Sequence, residues 1–274
     1  MGGQMGDKTQ RRLAGIFVVL AVWQAAVGVL FAIGWAPGTA PLTPTGPHLT
    51  LIEPAPPIAL ALWWVVYATM LLLAVYQVRP TRIDDPTLVA LRIPLLIGFT
   101  LNGLWVLALV TNERVLAQAI LFALTATLAI AYLRLARLGR PRSQKERVVV
   151  YTTVGGYLGM VSASAVIGVG RTLVATGYGD LGVPPEVAAT VALVALGAIA
   201  ALTTLAGPPE PGFPLAVIAV VVGIALRDPA PPLAVSIAAG AVSAATVGAV
   251  LTRGLRWSRR GGALASLEEV AIRA

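Results

Sequence analysis

The sequence predicts an all-α protein, a polytopic transmembrane helix bundle of about eight spans. Of the 274 residues, 57% are hydrophobic and only 12% are charged, whereas an ordinary soluble domain carries roughly 25% charged residues. The mean hydropathy is +0.84. Apolar runs of about 20 residues recur along the chain, and a helix of that length crosses a bilayer core about 30 Å thick. These runs leave no room for a soluble catalytic domain.

Clusters of proline and glycine separate most of the runs, as in APGTAPLTPTGP, GPPEPG and DPAPP. The seventh run, FPLAVIAVVVGIAL, is short for a crossing, so a re-entrant segment is an alternative there. The predicted spans are 13–34, 57–77, 89–110, 114–136, 148–170, 186–206, 213–227 and 232–252.

The first run follows the basic segment MGGQMGDKTQRR, an order that a signal peptide also shows. The run is nevertheless about 20 residues long, contains Trp23 and Gln24, and has no small-x-small cleavage site before the following loop. We therefore expect a retained first span.

Lysine and arginine are distributed unevenly between the two sides of the eight-span arrangement. Counted over alternate connections, one side holds only Arg114, Arg171 and Arg227, and the other side holds the remaining 17 of the 20 basic residues. The positive-inside rule then predicts a multi-pass protein of the cell (inner) membrane with both termini in the cytoplasm. The same count favours a crossing seventh run. It also explains the net charge of +8 without nucleic-acid binding.

Several classes of chemistry are excluded by residues that the chain lacks. There are no cysteines, which excludes disulfides, thiolate catalysis and cysteine metal sites. The only lysines, Lys8 and Lys145, lie at the cytoplasmic side, so no span offers a lysine for retinal attachment. The Gly-Lys-Ser/Thr, GxSxG and HExxH patterns are absent. We therefore expect no enzyme and no ATP-driven transporter.

Few ionisable residues lie within the spans, where burial of a charge is costly. Arg92 and Arg171 lie near span ends, and we expect both side chains to snorkel to the interface. His48 and Glu53 share a Pro-rich loop, where solvated side chains are a better interpretation than a metal pair. The sequence therefore predicts no metal site.

What remains is a set of uncharged polar and aromatic side chains. Residues three, four or seven apart share a helix face, and such sets occur on three spans. They are Trp63 with Tyr67, Asn102 with Trp105, and Tyr157 with Met160 and Ser164. Interface belts and helix packing are plain alternative explanations of such residues. From the residues alone, a packing hydrogen bond is the favoured interpretation of Asn102.

The order of these features resembles the TspO/MBR family, the translocator or tryptophan-rich sensory proteins. A Pro-rich loop leads into ALWWVVYATMLLLAVYQ, which is similar to the family's W-G-x-x-Y span. The next span carries LNGLW, similar to L-N-x-x-W, and YTTVGGYLGMVSASA is similar to the Y-L-x-W-x-x-x-x-T segment. The resemblance covers roughly residues 10–172 as a five-helix unit.

The resemblance implies a pocket inside the five-helix unit that binds porphyrins, sterols or related planar apolar ligands. Carried over by position, this ligand site comprises Trp63, Tyr67, Asn102, Trp105, Tyr157 and Met160. The loop from Gly38 to Pro57 would close it. Two positions depart from the family: Met160 replaces a tryptophan, and Gly168 replaces an asparagine. Methionine still lines an adaptable apolar pocket.

The expected organisation is thus a TspO-like unit over residues 1–172, three additional helices over 173–253 and a basic cytoplasmic tail over 254–274. The expected function is binding of a planar apolar ligand (porphyrin or heme, a sterol, or an isoprenoid-like molecule) as a sensor, carrier or scavenger. No cofactor is required. Two alternatives stay open, a transporter of a small apolar solute and a non-catalytic assembly subunit. Expected partners are membrane lipids, the small ligand and, as the family implies, a second copy in a homodimer.

Overall fold

The computed structural model describes residues 2–32, 51–178, 182–227 and 232–252, and side chains from residue 9 onward. The regular structure of these residues is entirely helical, which confirms the predicted all-α class. The helices are α1 (Gly2–Ala32), α2 (Pro56–Gln77), α3 (Pro86–Val110), α4 (Arg114–Leu138), α5 (Gln144–Ala175), α6 (Pro185–Ala206), α7 (Gly212–Ala225) and α8 (Leu233–Thr252).

Seven helices of the described residues are long and apolar enough to cross a membrane, and α7 is the exception. Its 14 residues measure about 21 Å at 1.5 Å per residue, less than a bilayer core of about 30 Å. The protein is therefore a multi-pass membrane bundle. The prediction that the seventh run crosses stays a prediction.

The fifth helix begins four residues before the predicted span because its first turn is capped. The Ser143 hydroxyl accepts a hydrogen bond from the Glu146 backbone N–H at 3.1 Å, and Glu146 Oε2 accepts from the Arg142 N–H at 2.7 Å. This is a variant of the Ser-x-x-Glu capping box. A π-helical stretch, Arg147–Thr152, follows within the same helix.

Close helix contacts depend on glycine at a few positions. Gly28 of α1 lies against the Tyr67 ring, and Gly103 of α3 lies against the Trp23 indole, so a Cβ at either position would clash. On α5, Gly159 packs against the backbone of Phe213 in α7. Small residues let membrane helices approach closely, and α5 thereby joins the five-helix unit to the added helices.

Arg92 does not snorkel, contrary to the expectation from its position. Its side chain is 1% exposed. The guanidinium donates to Ile83 O at 2.6 Å, to Gln77 Oε1 at 3.3 Å and to Gln10 Oε1 at 2.5 Å. These acceptors come from the ends of α1 and α2 and from the loop before α3. The charge stays buried because three hydrogen bonds replace its water.

Candidate functional site

Three of the six predicted ligand residues line one cavity. Trp63 of α2, Trp105 of α3 and Met160 of α5 contribute to the wall of a space of about 100 Å³, which we call the indole cavity. The two indole rings stack with centroids 5.2 Å apart and planes at 30°. Such an arrangement presents flat apolar faces, which suit a planar apolar molecule.

The other three predicted residues, Tyr67, Asn102 and Tyr157, do not line this cavity. They form a buried polar network with Gln24 of α1, in which each of four helices contributes one side chain. The Tyr67 hydroxyl donates to Asn102 Oδ1 at 3.4 Å, and the Tyr157 hydroxyl donates to Gln24 Oε1 at 3.0 Å. Gln24, noted in the sequence only as a polar residue of the first span, is thus a structural partner of Tyr157.

The network is incomplete at two atoms. Gln24 Nε2 and Asn102 Nδ2 are buried and make no hydrogen bond within the described residues. Unsatisfied amide donors at this depth are costly. A water molecule or a ligand acceptor at this place would satisfy them.

We expect Tyr157→Phe to destabilise the protein more than Tyr67→Phe does. Each change removes the hydrogen bond to an amide oxygen, but the bond from Tyr157 to Gln24 is 3.0 Å long and the bond from Tyr67 to Asn102 is a weaker one of 3.4 Å. Hydrogen bonds inside membrane bundles contribute about 0.6 kcal/mol on average and up to about 1.7. Thermal melts in mild detergent measure the difference, and equal melting temperatures for the two variants would contradict this ranking.

Gln118 of α4 is a wall residue that the sequence did not single out. Its Nε2 donates to Ala165 O on α5 at 3.0 Å, and its Oε1 occupies the space beside Gly168 that a Cβ there would need. An amide from the neighbouring helix thus lies beside Gly168, the position at which the resemblance has an asparagine. Only the packing of α4 on α5 reveals this, because 47 residues separate Gln118 from Ala165.

Glu53 is not solvated, contrary to the expectation for its loop. The side chain is buried, and its Oε1 accepts from Arg171 Nε at 2.8 Å, while Oε2 lies 4.0 Å from Arg227 Nη1. The Ala55 N–H also donates to Gly223 O on α7 at 2.9 Å. Residues 51–55, which we call the Glu53 segment, are thereby fixed over one end of the indole cavity. The part of the predicted closing loop before residue 51, with His48, lies outside the described residues.

A second cavity of about 340 Å³ lies between α7 and α8. Leu51 and Arg227 border it together with apolar residues of both helices and two serines, Ser236 and Ser243. The Glu53 segment and α7 lie between this second cavity and the indole cavity. On α7, Val221 lines the second cavity and the adjacent Val220 lines the indole cavity. The described residues hold no group of three His, Cys, Asp or Glu side chains that suits a metal.

A family model described as TSPO-like protein matches residues 14–252. The chain belongs to the TSPO-like family. The match runs through α6, α7 and α8, so the TSPO-like character extends beyond the five-helix unit that the sequence resemblance covered. No curated protein and no solved structure matches the chain.

Proposed function

We propose that this TSPO-like protein binds a planar apolar ligand (a porphyrin or heme, a sterol or an isoprenoid-like molecule) as a membrane sensor, carrier or scavenger. The observation that carries the proposal is the stacked Trp63–Trp105 pair on the wall of a cavity within the bundle. Trp63, Trp105 and Met160 supply apolar contact. Asn102, hydrogen-bonded to Tyr67, has a free amide donor but does not line the cavity, so it reaches a polar substituent of the ligand only if the wall opens.

The size of the indole cavity sets a condition on binding. Its volume of about 100 Å³ is below the roughly 300–1,000 Å³ of ordinary ligand pockets. A porphyrin-sized molecule therefore enters only if the wall opens. The Glu53 segment is the element that would move to open the cavity. It is held over one end by the ion contacts of Glu53 with Arg171 and Arg227 and by one backbone hydrogen bond to α7.

We place the protein in the cell (inner) membrane with both termini in the cytoplasm. The asymmetry of basic residues supports this orientation through the positive-inside rule. It requires α7 to cross as a short helix, which local bilayer thinning or flanking loops accommodate at a modest cost.

Trp105→Ala is the test of the ligand site. Loss of one stacking face is expected to weaken protoporphyrin IX binding about two- to tenfold, given roughly 0.5–1.5 kcal/mol for an aromatic pair beyond area burial. The ligand's own fluorescence is the readout, because removing a tryptophan also removes part of the protein's quenching signal.

Trp64→Ala is the matched control for Trp105→Ala. Trp64 neighbours Trp63 in the chain, but its side chain is 40% exposed on the outside of α2 and does not line the indole cavity. Its loss is expected to leave the affinity unchanged. Equal affinity of the wild type and the Trp105→Ala variant, with both proteins folded, would refute the site assignment.

The second candidate function, transport of a small apolar solute, is favoured by the 340 Å³ cavity between α7 and α8. Two cavities on either side of the Glu53 segment offer successive positions for a solute. Flux of a neutral apolar probe into proteoliposomes distinguishes the candidates, because a sensor or scavenger binds the probe without moving it.

A further inference from the structure

Two arginines lie at one end of the indole cavity. Arg114 is the first residue of α4 and Arg171 lies near the end of α5, and both contribute to the wall. Each side chain is only partly exposed, and the two positive charges repel each other. Gln118, Ser164 and Thr172 add uncharged polar atoms nearby. The cavity therefore has an aromatic apolar part and a cationic polar end.

The two arginines at this end differ in their pairing. Arg171 has an acidic partner, Glu53, whose Oε1 accepts a hydrogen bond from Arg171 Nε at 2.8 Å. Arg114 forms no ion pair within the described part of the chain. Its Nε donates to the neutral Oδ1 of Asn112 at 2.8 Å, which leaves its formal charge uncompensated.

We propose that the cationic end of the indole cavity binds the anionic group, a carboxylate or a phosphate, of an amphipathic ligand whose apolar part lies against the indoles. This inference rests on the proposed function and narrows its ligand class. The planar guanidinium fork matches the oxygens of both anions. The contact between Arg171 and Glu53 shows that a carboxylate already fits this end of the cavity.

The proposal separates acidic from neutral ligands of the same shape. A sterol or another neutral isoprenoid would leave the Arg114 charge in a partly buried place without a counterion, where low polarity makes charge pairing stronger. A ligand acid would relieve the repulsion between Arg114 and Arg171. We therefore expect apolar acids to be selected over their neutral analogues.

Protoporphyrin IX and its dimethyl ester are a suitable probe pair, because they share one ring and differ in charge. In neutral phosphatidylcholine nanodiscs, the wild type is expected to bind the diacid about tenfold more tightly than the ester. Arg114→Gln is expected to reduce affinity for the diacid about tenfold, as loss of a hydrogen bond to a charged group does, and to leave ester binding unchanged. Arg114→Lys keeps the positive charge but not the planar guanidinium, so its affinity for the diacid is expected to lie between those of the wild type and Arg114→Gln.

Arg137→Gln is the control for loss of charge alone. Arg137 lies on the same helix, is exposed and is remote from the cavity wall, so both probe affinities are expected to stay at the wild-type values.

Competition by dodecanoate, dodecyl phosphate and dodecanol then distinguishes a carboxylate ligand from a phosphate ligand, with the neutral alcohol as the reference. The anion site is overturned if the wild type binds the diacid and the ester equally tightly and the folded Arg114→Gln or Arg114→Lys variant does the same. In that case the proposed function still stands. Binding of neither probe overturns the anion site and removes porphyrins from the ligands of the proposed function.

Discussion

Gly159→Ala is expected to destabilise the bundle strongly, although it adds a single methyl group. A Cβ at this position of α5 would lie 2.6 Å from the backbone oxygen of Phe213 and 2.9 Å from Ala216 Cβ. The oxygen belongs to α7, so relief requires the two helices to separate. Overpacking of this kind costs about 1–3 kcal/mol. The expected result is a melting temperature lower by several degrees and a loss of contact between the five-helix unit and α7.

Gly156→Ala is the matched comparison on the same helix. The nearest atom to a Cβ at Gly156 is the backbone oxygen of Gly212 at 3.8 Å, an ordinary contact distance. Alanine is a better helix former than glycine by roughly 0.5–1 kcal/mol. We therefore expect Gly156→Ala to be neutral or stabilising. If the two variants melted at the same temperature, close packing of α5 on α7 at Gly159 would be disproved.

Protein stability is expected to decrease as the pH rises from about 4.5 to 7, because of Glu210. This residue lies in the connection between α6 and α7 and is buried. Its carboxylate accepts hydrogen bonds from the Tyr132 hydroxyl at 2.9 Å, from the Phe213 N–H at 3.1 Å and from the Gly212 N–H. Burial nevertheless dominates and raises the pKa of Glu210 from 4.5 to about 7.

The sign of the effect follows from the two pKa values of Glu210. In the unfolded chain the carboxyl ionises near its ordinary pKa of 4.5, and in the folded protein near a pKa of about 7. The folded state therefore binds the proton more tightly, and the resulting stability is complete below pH 4.5. It is lost as the pH rises towards 7. The full change is of the order of 3 kcal/mol, at 1.36 kcal/mol per pKa unit.

Glu210→Gln isolates this contribution. Thermal melts in detergent between pH 5 and pH 8 are expected to show a flatter profile for the variant than for the wild type. Glu113→Gln, which removes an exposed carboxyl, is expected to keep the wild-type profile. Parallel profiles for the wild type and the Glu210→Gln variant would rule out Glu210 as the titrating group.

Glu210 also shows why some important residues cannot be found in the sequence. The segment GPPEPG is recognisable as a loop, and a loop glutamate is ordinarily solvated. Its burial depends on Tyr132, which lies 78 residues away along the chain. Gly207 and Gly155, at which a Cβ would clash with Tyr132 and Glu210 respectively, allow that approach.

The sequence by itself determined the membrane class, the number and order of the helices, and the faces that carry tryptophan and tyrosine. These follow from local properties, since apolar runs give spans and residue spacing gives helix faces. Trp63, Trp105 and Met160, which the family resemblance grouped with three other residues, line one cavity.

Only the tertiary structure decided which polar residues meet. Asn102, at first an isolated amide in an apolar span, lies in a network with Gln24, Tyr67 and Tyr157 instead of on the cavity wall. The rotation and depth of each helix are set by close contacts such as that of Gly103 with Trp23. The pairing of Glu53 with Arg171 spans 118 residues. Such contacts depend on packing between helices, which no local pattern encodes.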